Sequence, residues 1–134
     1  MPQTFIVDQA ATFSAVAFLE STPKPVFGSR TGEQATTRDG VPQWEVQVIG
    51  GFRDQFGKNA HEVIKINVAS HRDPGEGLAA YTPVIMSNFV VGVTPTEQYE
   101  DKKTGQTKVR GGSIWYRADR IESAIPTRPQ RGEG

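Results

Sequence analysis

Glycine and proline recur along the whole chain, fourteen of one and nine of the other in 134 residues, and they cut the apolar residues into short runs. No window places apolar residues at i, i+3, i+4 and i+7 with good helix formers between them, so an amphipathic helix has nowhere to form. The runs alternate apolar and polar residues instead, which is the period of a half-buried strand. Short alternating runs between Gly- and Pro-bearing turns predict an all-β sandwich or barrel with little or no helix.

Five strands are expected. The first lies in TFSAVAFLES (12–21), where Phe13, Ala15, Ala17 and Leu19 alternate with Val16 and Phe18. It should end at TPKPVFG, because Pro23 and Pro25 lack the N–H a ladder needs. The second is PQWEVQVIG (42–50), with Trp44, Val46 and Val48 on one face and Glu45 and Gln47 on the other. The third, EVIKINVAS (62–70), turns Ile64, Ile66 and Val68 inward and Lys65 and Asn67 outward. The fourth, TPVIMSNFVVGV (82–93), is apolar enough to be buried on both sides for part of its length. In the fifth, SIWYRADRI (113–121), Ile114, Tyr116 and Ala118 share one face, while Trp115, Arg117, Asp119 and Ile121 share the other. Alternation therefore sends one aromatic of the Trp115–Tyr116 pair inward and the other outward, without saying which.

Between the strands, SRTGEQATTRDGVP (29–42) is polar, and its Asp39-Gly40 is a tight-turn signal. The stretch GGFRDQFGKNAH (50–61) reads as a hairpin loop carrying two phenylalanines. TPTEQYEDKKTGQTKVRGG (94–112) reads as a long, flexible, charged excursion. Residues 1–124 are expected to form one domain, and 125–134, rich in Pro, Gly and charge, a disordered tail. Phe5, Ile6 and Val7 suit either an extra edge strand or a lead into the first strand.

At 36% hydrophobic and 22% charged, the chain suits a globular rather than a disordered protein. Neither a run of roughly 20 apolar residues nor a basic-then-apolar leader is present, so no membrane association and a cytoplasmic location are expected. Zero cysteines exclude disulfides, thiol catalysis and thiolate metal sites together. His61 and His71 lack the spacing of a zinc motif, and Ser70, His71 and Asp73 lack a nucleophile elbow. Nor does TGEQATTRDG have the pattern of a phosphate-cradling loop. The expectation is a protein that is not an enzyme and that uses no metal or other cofactor. Fifteen basic residues balance fifteen acidic ones, so net charge selects no partner. Locally the balance tips: residues 102–120 hold six basic side chains and one acid, Asp119.

The runs VPQWEVQVIGG, EVIKINVAS, GLAAYTPVIMSNFVVGV and GGSIWYRADRIES, over roughly residues 40–122, resemble small OB-fold single-stranded-DNA-binding-like proteins of plasmids, phages and integrating elements, of the actinobacterial type. The resemblance implies a five-stranded OB barrel that binds single-stranded DNA or RNA with low sequence preference, in replication or transfer of a mobile element. Stacking would come from Trp115 or Tyr116 and from Phe52 and Phe56, and phosphate contacts from Arg53, Lys58, Lys65, Arg110 and Arg117. Such binders work as homodimers or cooperative arrays. The alternative is a protein-interaction barrel of a plasmid or phage, in which the same aromatics bury against another chain.

Overall fold

The computed structural model describes residues 4–26 and 32–125, so all of the expected tail but Ile125, and residues 29–31 of the first long loop, lie outside the described residues. In chain order the elements are β1 (Thr4–Ile6), α1 (Gln9–Thr12), β2 (Ala15–Pro23), β3 (Gln43–Arg53), β4 (Asn59–Ala69), β5 (Val84–Ser87), β6 (Val90–Val93), β7 (Glu97–Glu100), β8 (Thr107–Arg110), β9 (Ile114–Arg117) and β10 (Arg120–Ser123). The protein is all-β, as its alternation requires. Among the described residues it has ten strands, not five. Two apolar runs are each broken by a bend, one polar loop forms two strands of its own, and the N-terminal residues add an edge strand.

The long alternating runs form the centre. β3 and β4 pair antiparallel over their full length, from Gln43 opposite Ala69 to Arg53 opposite Asn59. Pairing in this register puts Val46, Val48, Ile64, Ile66 and Val68 on one side, where all five are buried. The expected hairpin loop of residues 50–61 therefore shrinks to a turn at 54–58, because both strands continue into it. Asp54 tightens that turn: its Oδ1 accepts from the backbone N–H groups of Phe56 and Lys58 at 2.8 and 3.0 Å.

A six-stranded sheet grows from this pair in the order β1-β6-β9-β4-β3-β2, parallel only between β4 and β9. β2 runs through Pro23, past its expected end. As the terminal strand of this sheet, β2 tolerates a residue without an N–H there. A bulge between Phe18 and Glu20 shifts its register, so Val16 and Phe18 enter the core while Glu20 lies opposite Gln47 on the other face.

The fourth run splits at Asn88, whose φ of 50° turns the chain between β5 and β6 and drops Phe89 into the core. It is not buried on both sides, since Ile85 is 48% exposed. The fifth run breaks between β9 and β10, and the break changes the phase of its alternation. Tyr116, Ala118 and Ile121 all reach the core side, so Ile121 does not share a face with Trp115. Ile114, expected beside Tyr116, lies beyond the core and is 63% exposed.

β10 pairs with β5 in a separate two-stranded sheet. β2 meets the chain just before β5 through a bridge at Ala17 and Pro83, with Phe18 N–H donating to the Thr82 carbonyl at 2.8 Å. Continuous ladders thus do not close the described strands into a barrel, and the expected five-stranded barrel appears as ten shorter strands. Beside this seam, the Gln9 side chain stands in for a neighbouring strand. Its amide donates to the Val84 carbonyl at 2.9 Å and accepts from the Met86 N–H at 3.0 Å.

The excursion expected at 94–112 is a ribbon of β7 and β8. Cross-strand pairs hold it: Lys108 bonds Asp101 at 2.7 Å, Arg110 pairs with Glu97, and the Arg110 guanidinium lies 5.1 Å from the Tyr99 ring centroid. Among the described residues, no helix is long and apolar enough to cross a membrane.

Two expectations follow. Ile66→Ala should cost about 2–5 kcal/mol by leaving a void in the centre of the ladder, and a urea melt will register it, whereas exposed Phe56→Ala should stay within about 0.5 kcal/mol. The Lys108 ammonium, then the Lys103 N–H, holds the Asp101 carboxyl below the usual aspartate range. A lowered folded value means stabilisation present above the unfolded pKa and lost as the pH falls through the folded one. Amide protection factors in β7 and β8, corrected for the intrinsic pH dependence of exchange, should fall in acid, and Asp101→Asn should remove that fall.

Candidate nucleic-acid interface

The face of the six-stranded sheet turned away from the core carries the polar half of each alternating strand. Asn67 of β4 pairs with Arg117 of β9, and the same parallel register sets Lys65 beside Trp115. Gln47 and Glu45 of β3 continue these rows, opposite Lys65 and Asn67. On the far side of β9, Trp115 lies opposite Gly92 of β6.

Gly92 is what gives Trp115 its place. The indole lies across the glycine, and any Cβ at this position would overlap its six-membered ring. The Arg117 guanidinium sits 5.6 Å from the Trp115 ring centroid, within cation–π range. Trp115 is half-buried and Arg117 exposed, so the aromatic is supported from beneath and flanked by a cation.

Tyr116 takes the other side. Its ring lies 5.8 Å from Phe89, which stacks at 6.3 Å on Phe13, which in turn meets Phe52 edge-on at 6.4 Å. Burial, and then the charge of Glu62, push the Tyr116 phenol above its ordinary pKa. The structure thus assigns both Tyr116 and Phe52 to a row of aromatics on the core side, away from Trp115. Trp44 also faces this side and is half-buried, its indole N–H donating to the Ser70 carbonyl at 2.8 Å.

The remaining candidates separate along the sheet. Lys65, Trp115 and Arg117 come together. Arg53 shares their face but stands at the far end of β3, beside the turn bearing Lys58 and the 77% exposed Phe56. At about 3.3 Å per residue, that turn is some 20 Å or more along β4 from Trp115. Arg110 belongs to the ribbon, engaged by Glu97 and Tyr99.

Beside Trp115 and Arg117 opens a cavity of about 480 Å³, whose wall is completed by Asn67, Lys24, Thr37 and Gln43. The last three were not singled out by sequence reasoning. Lys24 and Thr37 come from the segment between β2 and β3, which backbone bonds fold against the end of the sheet, and Gln43 opens β3. Lys24 N–H donates to the Gln43 carbonyl at 3.0 Å, Ala35 N–H to that of Lys24 at 2.7 Å, and Gln43 N–H to that of Ala35 at 2.8 Å. The polar character of that segment was visible, but not where it would fold. A larger concavity of about 690 Å³ between α1 and β5 is lined mainly by apolar side chains, with Asp8, Gln9, Ser14 and Asn88 among them. Among the described residues no three His, Asp or Glu side chains gather as a metal ion would need.

No protein-family model matches the chain, and no curated protein matches it in sequence.

Substituting Gly92→Ala should dislodge the indole. Overpacking of this kind costs about 1–3 kcal/mol. A shifted Trp emission maximum in the folded protein, absent when Trp115 is also replaced by Phe, will identify the displaced ring.

Proposed function

We propose that this protein binds single-stranded nucleic acid, a strand with unpaired bases, across the sheet face that bears Trp115. The observation carrying this reading is the indole seated over Gly92 with the Arg117 guanidinium over its ring, beside a cavity that Lys24, Thr37, Gln43 and Asn67 also line. Every base has a π face, so a supported aromatic takes bases with little regard to sequence, while Arg117, Lys65 and Lys24 supply charge for phosphates. A neutral chain needs only this local positive edge to hold a strand.

The pairing order supports the same reading. With β5 and β6 taken as one bent strand and β9 and β10 as another, the ladders run from β2 through β3, β4, β9/β10 and β5/β6. They return to β2 by the Ala17–Pro83 bridge. That circuit fits a partly open five-stranded barrel of the OB type, which binds oligonucleotides on its second and third strands and on the loops after its first and fourth. Here those strands are β3 and β4. The loop after the first contributes Lys24 and Thr37, and the loop after the fourth holds the β7–β8 ribbon. A role in replication or transfer of a mobile element follows the family resemblance.

Tryptophan fluorescence titrated with oligo-dT at two salt concentrations tests the reading. Quenching is expected at low salt, with affinity falling as salt rises because counterions are released from neutralised phosphates. Trp115→Ala should weaken binding by about 1–3 kcal/mol, whereas Trp44→Phe should leave it in place. Absence of quenching at low salt and micromolar protein would overturn the reading in favour of a protein-interaction barrel.

A further inference from the structure

At one end of the main sheet stands β1, and its pairing shows which of its backbone groups are already used. Thr4, Phe5 and Ile6 lie opposite Gly92, Val91 and Val90, and the next residue, Val7, donates its N–H to the Phe89 carbonyl at 2.9 Å. Bonded positions alternate along an antiparallel pair. Phe5 therefore bonds Val91, while the N–H and C=O groups of Thr4 and Ile6 point away from β6. That edge has no neighbouring strand among the described residues, and all three of its residues are exposed, Ile6 to 88%.

An open row of N–H and C=O groups invites pairing with another chain, and proteins blunt such edges with charge or proline. Other edges of this protein are blunted in that way. β10 carries Arg120 and Glu122, β7 carries Glu97 and Glu100, β8 carries Lys108 and Arg110, and β2 carries Glu20 and Pro23. The half of β4 that projects beyond β9 carries Glu62, and the Gln9 side chain occupies the edge of β5. β1 has neither charge nor proline. It also lies outside residues 40–122, over which the family resemblance runs, so its role is read from the edge itself.

We infer that β1 is the contact through which two copies of this chain associate, edge to edge and antiparallel. A twofold axis at Phe5 sets Thr4 of one copy opposite Ile6 of the other, and Ile6 opposite Thr4. Both are bonded pairs, and each exchanges two hydrogen bonds. The two Phe5 residues meet in the closer, non-bonded pair between them. A second copy fits this edge because the open groups, two residues apart on one short strand, complement themselves in this register, and each exposed Ile6 gains the Thr4 of the other copy as a neighbour. Paired residues share a face, and Thr4 lies in the row of Gly92 and Trp115. The two outer faces thus join into one surface, with the Trp115 indoles on the same side and about 24 Å apart across five strand spacings. This consequence, unlike the pairing, rests on the reading of that face as a single-strand binding surface: one strand then runs from one indole to the other.

Sedimentation of the full chain from micromolar to millimolar concentration tests the contact. A concentration-dependent equilibrium of monomer and dimer is expected, weak because the strand is short. Thr4→Lys with Ile6→Lys sets like charges opposite each other twice and should raise the dimer dissociation constant roughly tenfold or more. Thr4→Lys with Ile6→Glu makes opposite-charge pairs of the same positions and should restore the dimer, a result specific to this register. Ile6→Pro removes an outward N–H that the monomer does not use, so it should abolish the dimer while circular dichroism shows the fold intact. A chain that is monomeric at every concentration, or a dimer indifferent to these changes, overturns the contact. With an oligo-dT long enough to cross both faces, the wild type should bind cooperatively and Ile6→Pro should not. Dimerisation without any binding of oligo-dT overturns the nucleic-acid reading and leaves the contact standing, and binding by a chain that stays monomeric does the reverse.

Discussion

Eleven consecutive residue pairs join β3 to β4, and on their inward side Val46, Val48, Ile64, Ile66 and Val68 are shut off from water. Every other strand of the main sheet attaches to this hairpin or to something already attached to it. β2 lies along β3, β9 lies along β4, and β6 and β1 follow β9. Because side chains alternate with period two, the inward row on β3 and β4 also determines what their other face shows: Glu45, Gln47, Lys65 and Asn67. A one-residue slip in this ladder would bury those polar groups and expose the valines. The outer face is therefore held in register by the core behind it.

The bends do the rest of the work. Unbroken, the fourth and fifth apolar runs would carry one alternation from end to end. The turn at Asn88 and the break after β9 instead let each run serve two sheets, with Phe89, Ala118 and Ile121 all delivered to the core. The bulge in β2 acts similarly, keeping Phe18 inside while leaving Glu20 beside Gln47. Closure at the seam is slight, a single bridge and the Gln9 side chain, so the architecture depends on the shared core more than on a complete circuit of hydrogen bonds.

On the open face, chemistry gathers where a missing side chain makes room. Gly92 admits the Trp115 indole, and the strand pairing that sets them opposite each other also brings Arg117, Asn67 and Lys65 alongside. The acids of the face, Glu20 and Glu45, stand on β2 and β3, so the side nearer β9 is the more basic one. This is how a chain with zero net charge presents a locally basic edge. The β7–β8 ribbon, by contrast, spends its basic residues Lys108 and Arg110 on its own acids.

Composition and alternation alone determined that the protein is all-β, which residues of the β3–β4 pair are buried, and that Trp115 and Tyr116 point to opposite faces. Those properties are local: they depend on the two-residue period and on where Gly and Pro interrupt it. Period two sets relative direction only, so which aromatic faces the core was left to the tertiary structure. Tyr116 goes inward because it pairs beside Ile66 and meets Phe89, and Trp115 goes outward because Gly92 leaves it a bed. Ile121 escaped the alternation for a related reason, since a bend resets the phase and no local pattern announces it. The wall of Lys24, Thr37 and Gln43 was likewise decided by long-range folding, as a polar segment acquires a position only when the strand ends it joins are brought together.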